Sequence, residues 1–130
     1  RREYYDRLQA VRTDGDWTGW IRFFLAGVTE TSKQVVRQAT HLDALRRDYR
    51  DRLKGKHRAR GLLDELFSNP YITVARAATR LAVSKPTAQK SIDTLREIGV
   101  LEEVTGRSWG RVFVAKPILR AMETPPGAEK

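Results

Sequence analysis

The chain contains no cysteine, and it has only two histidines and one methionine among its 130 residues. Without cysteine there is no disulfide framework, no thiolate metal ligand and no thiol nucleophile. His41 and His57 stand apart, and neither has a second histidine at the spacing of a metal site. The sequence therefore predicts no metal site, and its composition is typical of a cytoplasmic protein.

Motifs for nucleotides and membranes are missing as well. There is no Walker-type glycine loop, no dinucleotide-binding fingerprint, no signal peptide and no apolar run of membrane-spanning length. The neighbouring carboxylates, Asp14 with Asp16 and Glu102 with Glu103, are expected in a turn and at a strand end, where water solvates them. No catalytic constellation can be assembled, so the sequence predicts no catalytic residue, no cofactor and no membrane partner for this chain.

Positive charge is the main compositional feature that is present. A net charge of +9 favours a polyanionic partner, although the excess is spread over both halves of the chain rather than clustered. The first residue is Arg1 rather than methionine, so we expect the chain to be part of a longer protein.

A helix-turn-helix is predicted between residues 73 and 98. Residues 73–81 form a short helix, 82–84 form the turn, and the second helix covers 85–98. Ser84 is suited to cap the second helix, and Gly99 is suited to the left-handed position at its end. Residues spaced four and three apart predict the buried side of the second helix, namely Ala88, Ile92 and Leu95. Two strands, 101–104 and 111–115, are predicted to form a wing around a glycine-containing hairpin.

The outward side of the second helix and the wing form a predicted site for double-stranded DNA. The second helix of such a unit normally lies in the major groove, with its N-terminal residues at the base edges. Gln89 is predicted to pair with an adenine edge, whereas Asp93 opposes binding because its carboxylate repels phosphate. The predicted contact residues are Ser84, Lys85, Thr87, Gln89, Lys90, Arg107 and Arg111. The alternative is a winged helix that serves only for packing, because a fold does not fix a function.

The first part of the chain is predicted to be a helical hairpin. A helix over 1–12 precedes a polar break, and a long helix begins near Asp16 and continues to about residue 53. The long helix is apolar on two sides, and Val28, Val35, Leu42 and Tyr49 recur every seven residues. These stripes predict a homo-oligomer. The predicted interface residues are Trp17, Trp20, Phe24, Val28, Val35 and Leu42. The alternative is that the long helix packs within its own chain.

The predicted fold is therefore mainly α, with a long helical hairpin followed by a winged helix-turn-helix domain with a small two-stranded wing. The hairpin occupies 1–55, the winged-helix domain 56–122 and a disordered tail 123–130. At the boundary between these domains, residues 54–60, KGKHRAR, are expected to be a solvated basic linker. A helix over 58–68 contributes Leu62, Leu63, Leu66 and Phe67 to the core, and a short helix follows at 117–122.

Residues 3–28, EYYDRLQAVRTDGDWTGWIRFFLAGV, resemble the C-terminal part of bacterial Fic family proteins, and residues 62–119 continue the resemblance. The winged-helix part alone is shared by many regulators, so the first stretch is the more specific. The positions that match the family's pattern are Tyr4, Tyr5, Gly15, Asp16, Trp17, Trp20, Ile21, Phe23, Phe24 and Leu25.

The resemblance implies a parent enzyme that transfers AMP, or another phosphate-containing moiety, from a nucleotide to a hydroxyl group of a protein substrate. The nucleotide it implies for that parent is ATP, with magnesium. The parent's catalytic motif, HPF..GNGR..R, is absent from this chain, so the resemblance implies a non-catalytic C-terminal part. That part would bind DNA or regulate the parent enzyme; the alternative is a module for dimerisation or for docking the target. Ser108 and Trp109 stand where a wing of this kind is expected to carry more arginine.

Overall fold

The computed structural model describes residues 1–123 and is mainly helical, with a small antiparallel sheet. The helices are α1 (Arg2–Asp14), α2 (Trp17–Arg52), α3 (His57–Leu66), α4 (Val74–Leu81), α5 (Lys85–Glu97) and α6 (Lys116–Glu123). The strands are β1 (Tyr71–Thr73), β2 (Glu102–Glu103) and β3 (Val112–Val114). The predicted fold class, mainly α with a small wing, is confirmed. Glu123 belongs to α6, and the rest of the predicted tail lies outside the described residues.

The chain forms two compact units, Arg1–Arg37 and Gln38–Lys130. The division falls within α2 rather than near the predicted position 55. The physical reason is that the last turns of α2 carry Tyr49 and Leu53 into the core of the second unit, where both are buried. The end of α2 is therefore a structural part of the winged-helix domain.

In the first unit, α1 and the beginning of α2 form a helical hairpin whose turn is specified locally. Gly15 is left-handed, with φ of 65°, and ends α1. Asp16 then caps α2, because its Oδ1 accepts a hydrogen bond from the N–H of Gly19 at 2.9 Å. A Cβ at position 19 would lie 2.1 Å from Oδ2 of Asp16, so any other residue there would force this carboxylate to shift. The rings of Tyr4 and Trp20 pack edge to face across the hairpin, with centroids 5.4 Å apart.

The core of the second unit receives side chains from almost every element. The large buried side chains are Tyr49, Leu53, Leu62, Leu63, Leu66, Ile72, Ile92, Leu95, Phe113 and Ile118. The core residues predicted for α3 and α5 are therefore confirmed, with Phe67 only partly buried. Gln38 of α2 donates through Nε2 to the carbonyl of Ala121 at 3.2 Å, which ties α2 to α6.

The helix-turn-helix follows the predicted spacing, with one shift at its start. Thr73 is the cap of α4 rather than its first residue, because its hydroxyl accepts from the N–H of Arg76 at 3.2 Å. Ala82 is left-handed, with φ of 53°, and ends α4. Ser84 accepts from the N–H of Thr87 at 3.4 Å and caps α5, as predicted.

The sheet has three strands rather than the two predicted for the wing. Their order is β1-β3-β2, and Phe113 of β3 pairs with Ile72 on one side and Glu103 on the other. The sequence does not predict β1 because three residues are too few to show an alternating pattern. The Asn69 side chain accepts from the N–H of Tyr71 at 3.1 Å, which helps to turn the chain from α3 into the sheet.

Ion pairs connect α3 to its neighbours. Asp64 accepts from Arg46 of α2 at 2.9 Å, and Glu65 accepts from Arg76 and Arg80 of α4 at 2.9 and 3.1 Å. The hydrogen bond from Arg76 is the main reason why the pKa of Glu65 lies below its ordinary value, and the charge of Arg80 lowers that pKa further. Because the arginine side chains of these pairs are partly exposed, each pair contributes little to the stability of the fold.

Candidate nucleic-acid interface

Helix α5 has a fixed rotation because one side of it is fully buried. Ala88, Ile92 and Leu95 have no exposed surface and Ser91 is buried beside them, so the other positions of this stretch face outward. Of the predicted contact residues on and beside α5, Ser84, Lys85 and Lys90 are exposed. Thr87 and Gln89 are half-buried. The structure therefore places the predicted residues of α5 on its outward side.

Gln89 lies at the centre of a hydrogen-bond network between α5 and the wing. Its Nε2 donates to Oδ1 of Asp93 at 2.9 Å, and its Oε1 accepts from Arg111 at 2.9 Å. Arg111 also lies 3.7 Å from the carboxylate of Glu103, and Asp93 lies 3.6 Å from Arg96. Opposite charges therefore alternate around one neutral amide, and the network joins β2, β3 and α5.

This network changes the chemistry available at the predicted base reader. Nε2 and Oε1 of Gln89 each make one hydrogen bond, which fixes the orientation of the amide, while one N–H and one oxygen lone pair remain available to an adenine edge. The network also explains how an acidic residue is accommodated on this side of α5. The carboxylate of Asp93 is paired with Gln89 and Arg96, so its negative charge is partly neutralised. The sequence does not reveal this arrangement, because Gln89 and Arg111 are 22 residues apart.

A basic groove lies on one flank of α5. It has a volume of about 480 Å³, and it is formed by the start of α3 and the side of α5 that carries Lys90. The lining residues are Gly55, Lys56, His57, Arg58, Ala59, Thr87, Lys90, Ser91 and Thr94, and none of them is acidic. Residues 54–60 are predicted from the sequence to be a solvated linker, and this groove is not predicted. A charge pattern alone cannot place that segment beside α5.

The wing lies on the other flank of α5. Arg107 is exposed, and Arg111 is half-buried and bound into the Gln89 network. A second groove of about 370 Å³ lies between the wing and the start of α4. Lys85 and Arg111 line this groove together with Trp109, and its lining also contains no acidic residue.

Ion pairs divide the cations of the second unit into two groups. Those with a carboxylate within 4.0 Å are Arg46, Arg47, Arg50, Arg52, Lys54, Arg76, Arg80, Arg96, Arg111 and Lys116. Within residues 38–123, the lysines and arginines without such a partner are Lys56, Arg58, Arg60, Lys85, Lys90, Arg107 and Arg120. Apart from Arg60 and Arg120, this second group lies on α5, on the wing or at the start of α3. Within residues 38–123, the unpaired positive charge is therefore concentrated around α5.

The first unit presents an apolar surface instead. None of residues 1–37 is buried, and several large apolar side chains are about half exposed or more. Of the predicted interface residues within this unit, four are exposed, namely Trp17, Phe24, Val28 and Val35. The fifth, Trp20, is half-buried. Of the remaining sevenfold positions on α2, Leu42 is half-buried, while Tyr49 is buried in the core of the second unit, where burial raises the pKa of its hydroxyl. The sevenfold pattern is thus exposed only in its first half.

Across residues 1–123, no group of three or more histidine, aspartate or glutamate side chains is placed to hold a metal ion. No helix of the described part is long and apolar enough to cross a membrane. Comparison of the sequence with models of known protein families finds no match.

Proposed function

We propose that the winged-helix unit binds double-stranded DNA, with α5 entering the major groove. The observation that carries this proposal is the group of unpaired cations on and beside α5. Lys56 and Arg58 lie on one flank, Lys85 and Lys90 on the helix, and Arg107 on the wing. A polyanion neutralises these charges without breaking an existing ion pair. The net charge of +9 also favours encounter with DNA.

Phosphate contacts dominate the proposed mode of binding. Each phosphate that a lysine or arginine neutralises releases counterions, so the affinity falls steeply as salt rises. Gln89 is held by Asp93 and Arg111, and in the free protein it supports the wing against α5. We therefore expect steep salt dependence combined with a weak preference for DNA sequence.

Salt-dependent binding to a short duplex tests the proposal. Lys90→Ala and Arg58→Ala are each expected to weaken binding to all duplexes and to flatten the slope of log K against log salt by about 0.9. The matched control is Arg120→Ala. It removes another unpaired cation, but from α6, and it should leave both the affinity and the slope almost unchanged. The proposal fails if the unaltered chain shows no salt-sensitive binding at low ionic strength, or if all three variants behave alike.

The resemblance of residues 3–28 to Fic family proteins supports a further part of the proposal. On that basis we propose that this chain accompanies a protein AMP-transferase domain and regulates it or directs it to DNA. The sequence of the chain contains neither a phosphate-cradling glycine loop nor the HPF..GNGR..R motif. We expect the purified chain to transfer no labelled AMP to any protein when it is given ATP and magnesium. Label transfer would contradict a non-catalytic role.

A second candidate function is self-association through the first unit. The observation that favours it is an open groove of about 590 Å³ on α2. Its lining residues are Phe23, Phe24, Gly27, Val28, Thr31, Ser32, Val35 and Val36. Small residues lie between large ones at helical spacing, so ridges of a second copy fit into the depressions. No charged side chain lines the groove, and a second copy of the same face therefore meets no unpaired charge.

Light scattering tests this second candidate. We expect a dimer mass that Phe24→Asp converts to a monomer, because the substitution places a carboxylate in the apolar groove. Gln34→Asp adds the same charge at an exposed position outside the groove and should leave the dimer intact. A monomer mass at high concentration, unchanged by Phe24→Asp, would exclude the dimer.

A further inference from the structure

Trp109 at the tip of the wing is the most exposed of the large apolar side chains described. It is 89% exposed, whereas Trp17 is 62% exposed. Gly106 and Gly110 are both left-handed, with φ of 58° and 64°, and they bracket the turn that carries it. A large aromatic side chain held this far out in water contributes nothing to the core, so its location needs another explanation.

The base of this hairpin is held in place by hydrogen bonds. The N–H of Val104 donates to the carbonyl of Val112 at 3.0 Å, and the N–H of Val112 donates to the hydroxyl of Thr105 at 3.2 Å. Arg111 additionally binds Gln89 of α5 at 2.9 Å. The indole is therefore carried by a turn whose base is fixed relative to α5, and little ordering is needed when it meets a ligand.

The surroundings of Trp109 are positively charged. Trp109 lines one groove with Lys85 and Arg111, and Arg107 precedes it by two residues. The groove has no acidic residue, and neither Lys85 nor Arg107 has a carboxylate partner within the described part of the chain. An apolar ring surrounded by unpaired cations matches the chemistry of nucleic acid, which presents sugars and base faces beside phosphates.

We propose that Trp109 is an apolar contact to duplex DNA beside the site of α5. The indole packs against a sugar or partly stacks on a base step, while Arg107 and Lys85 bind the adjoining phosphates. This inference rests on the proposed DNA binding. Ser108 and Trp109 stand where more arginine is expected in a wing. With this contact, Trp109 contributes to DNA binding through its apolar ring instead of through charge.

Removal of the ring distinguishes this contact from a charge contact. Trp109→Ala should weaken binding to duplex roughly tenfold and leave the salt slope unchanged, because the indole carries no charge. Arg107→Ala should instead flatten the slope by about 0.9. Tyr5→Ala, in the first unit, is the control for loss of an exposed aromatic side chain and should leave binding unchanged. Unchanged circular dichroism would show that Trp109→Ala is folded.

Fluorescence provides a direct second measurement. The chain has three tryptophans, so Trp17→Phe with Trp20→Phe leaves Trp109 as the only one. Titration of this variant with duplex DNA should quench its emission at the same DNA concentration at which binding occurs. Salt-sensitive binding without quenching, and with no effect of Trp109→Ala, would overturn the role of Trp109 while leaving the DNA-binding proposal intact. Quenching and tighter binding with single-stranded DNA would overturn the duplex assignment. Absence of salt-sensitive binding in the unaltered chain would overturn both.

Discussion

The hydrogen bond between Gln89 and Arg111 is expected to couple the stability of α5 to that of the wing. A bond to a charged group contributes about 1.5–3 kcal/mol when it is well shielded. The Arg111 side chain is 32% exposed, so water competes for its guanidinium and a coupling energy of roughly 1 kcal/mol is expected. Each single replacement by alanine should cost more than this. Gln89→Ala also removes the donor to Asp93, and Arg111→Ala also removes contacts with Glu103 and the Phe113 ring.

A double-mutant cycle measures that coupling directly. Urea unfolding of the unaltered chain, Gln89→Ala, Arg111→Ala and the double variant gives four free energies of unfolding. The two substitutions together should cost about 1 kcal/mol less than the sum of the single costs. Gln89→Ala combined with Arg120→Ala is the control pair, since Arg120 shares no hydrogen bond or ion pair with Gln89 within residues 1–123. Additivity of Gln89 and Arg111 to within about 0.3 kcal/mol would show that the network does not form in solution.

Three further predictions concern local structure. Ala82→Gly should raise the free energy of unfolding by about 0.5–1 kcal/mol, because glycine relieves the left-handed strain at Ala82 and loses part of that gain to chain entropy; urea unfolding measures the change. Ser84→Ala should lower the free energy of unfolding by about 0.5–1 kcal/mol, because the N–H of Thr87 loses its acceptor, and an unchanged urea midpoint would contradict the cap. The lowered pKa of Glu65 means that its stabilising effect is fully present above the ordinary value of 4.5 and is lost as pH falls through the lower folded pKa. Thermal melts across this range should therefore show that the stability gap between the unaltered chain and Glu65→Gln shrinks as the pH is lowered, and a constant gap would contradict the ion pairs.

The helix-turn-helix could be predicted from the sequence because its determinants are local. Ser84 and Gly99 specify the two ends of α5 through hydrogen bonds and backbone angles of neighbouring residues. The spacing of Ala88, Ile92 and Leu95 specifies its buried side. The same reasoning fails for β1, which exists only because β3 pairs with it from a position about 40 residues later in the chain.

The candidate site could be predicted only in part, for a related reason. The exposure of Lys85 and Lys90 could be predicted from the periodicity of α5, because residues outside the buried stripe of a helix face solvent. Lys56 and Arg58 join Lys90 at one groove only because α3 packs against α5, which is a tertiary contact. The bonds that occupy Gln89 likewise depend on the path of the wing. Residue type identified candidates for binding, and packing determined which of them are available.

The hydrogen bonds of Gln89 also affect how freely this surface can recognise a base. A bidentate contact of glutamine with adenine contributes about 1–3 kcal/mol of discrimination. Asp93 and Arg111 each use one hydrogen-bonding position of the amide, so adenine must take the remaining N–H and lone pair in the orientation that these two bonds set. Turning the amide to a better orientation breaks the bond to Arg111, which contributes roughly 1 kcal/mol and so offsets part of the discrimination. Arg111→Ala removes this restraint and should therefore sharpen the preference for adenine even as it weakens overall affinity. Selection of bound duplexes from a random pool would reveal that change, and a preference as strong in the unaltered chain as in Arg111→Ala would show that the network does not restrain Gln89.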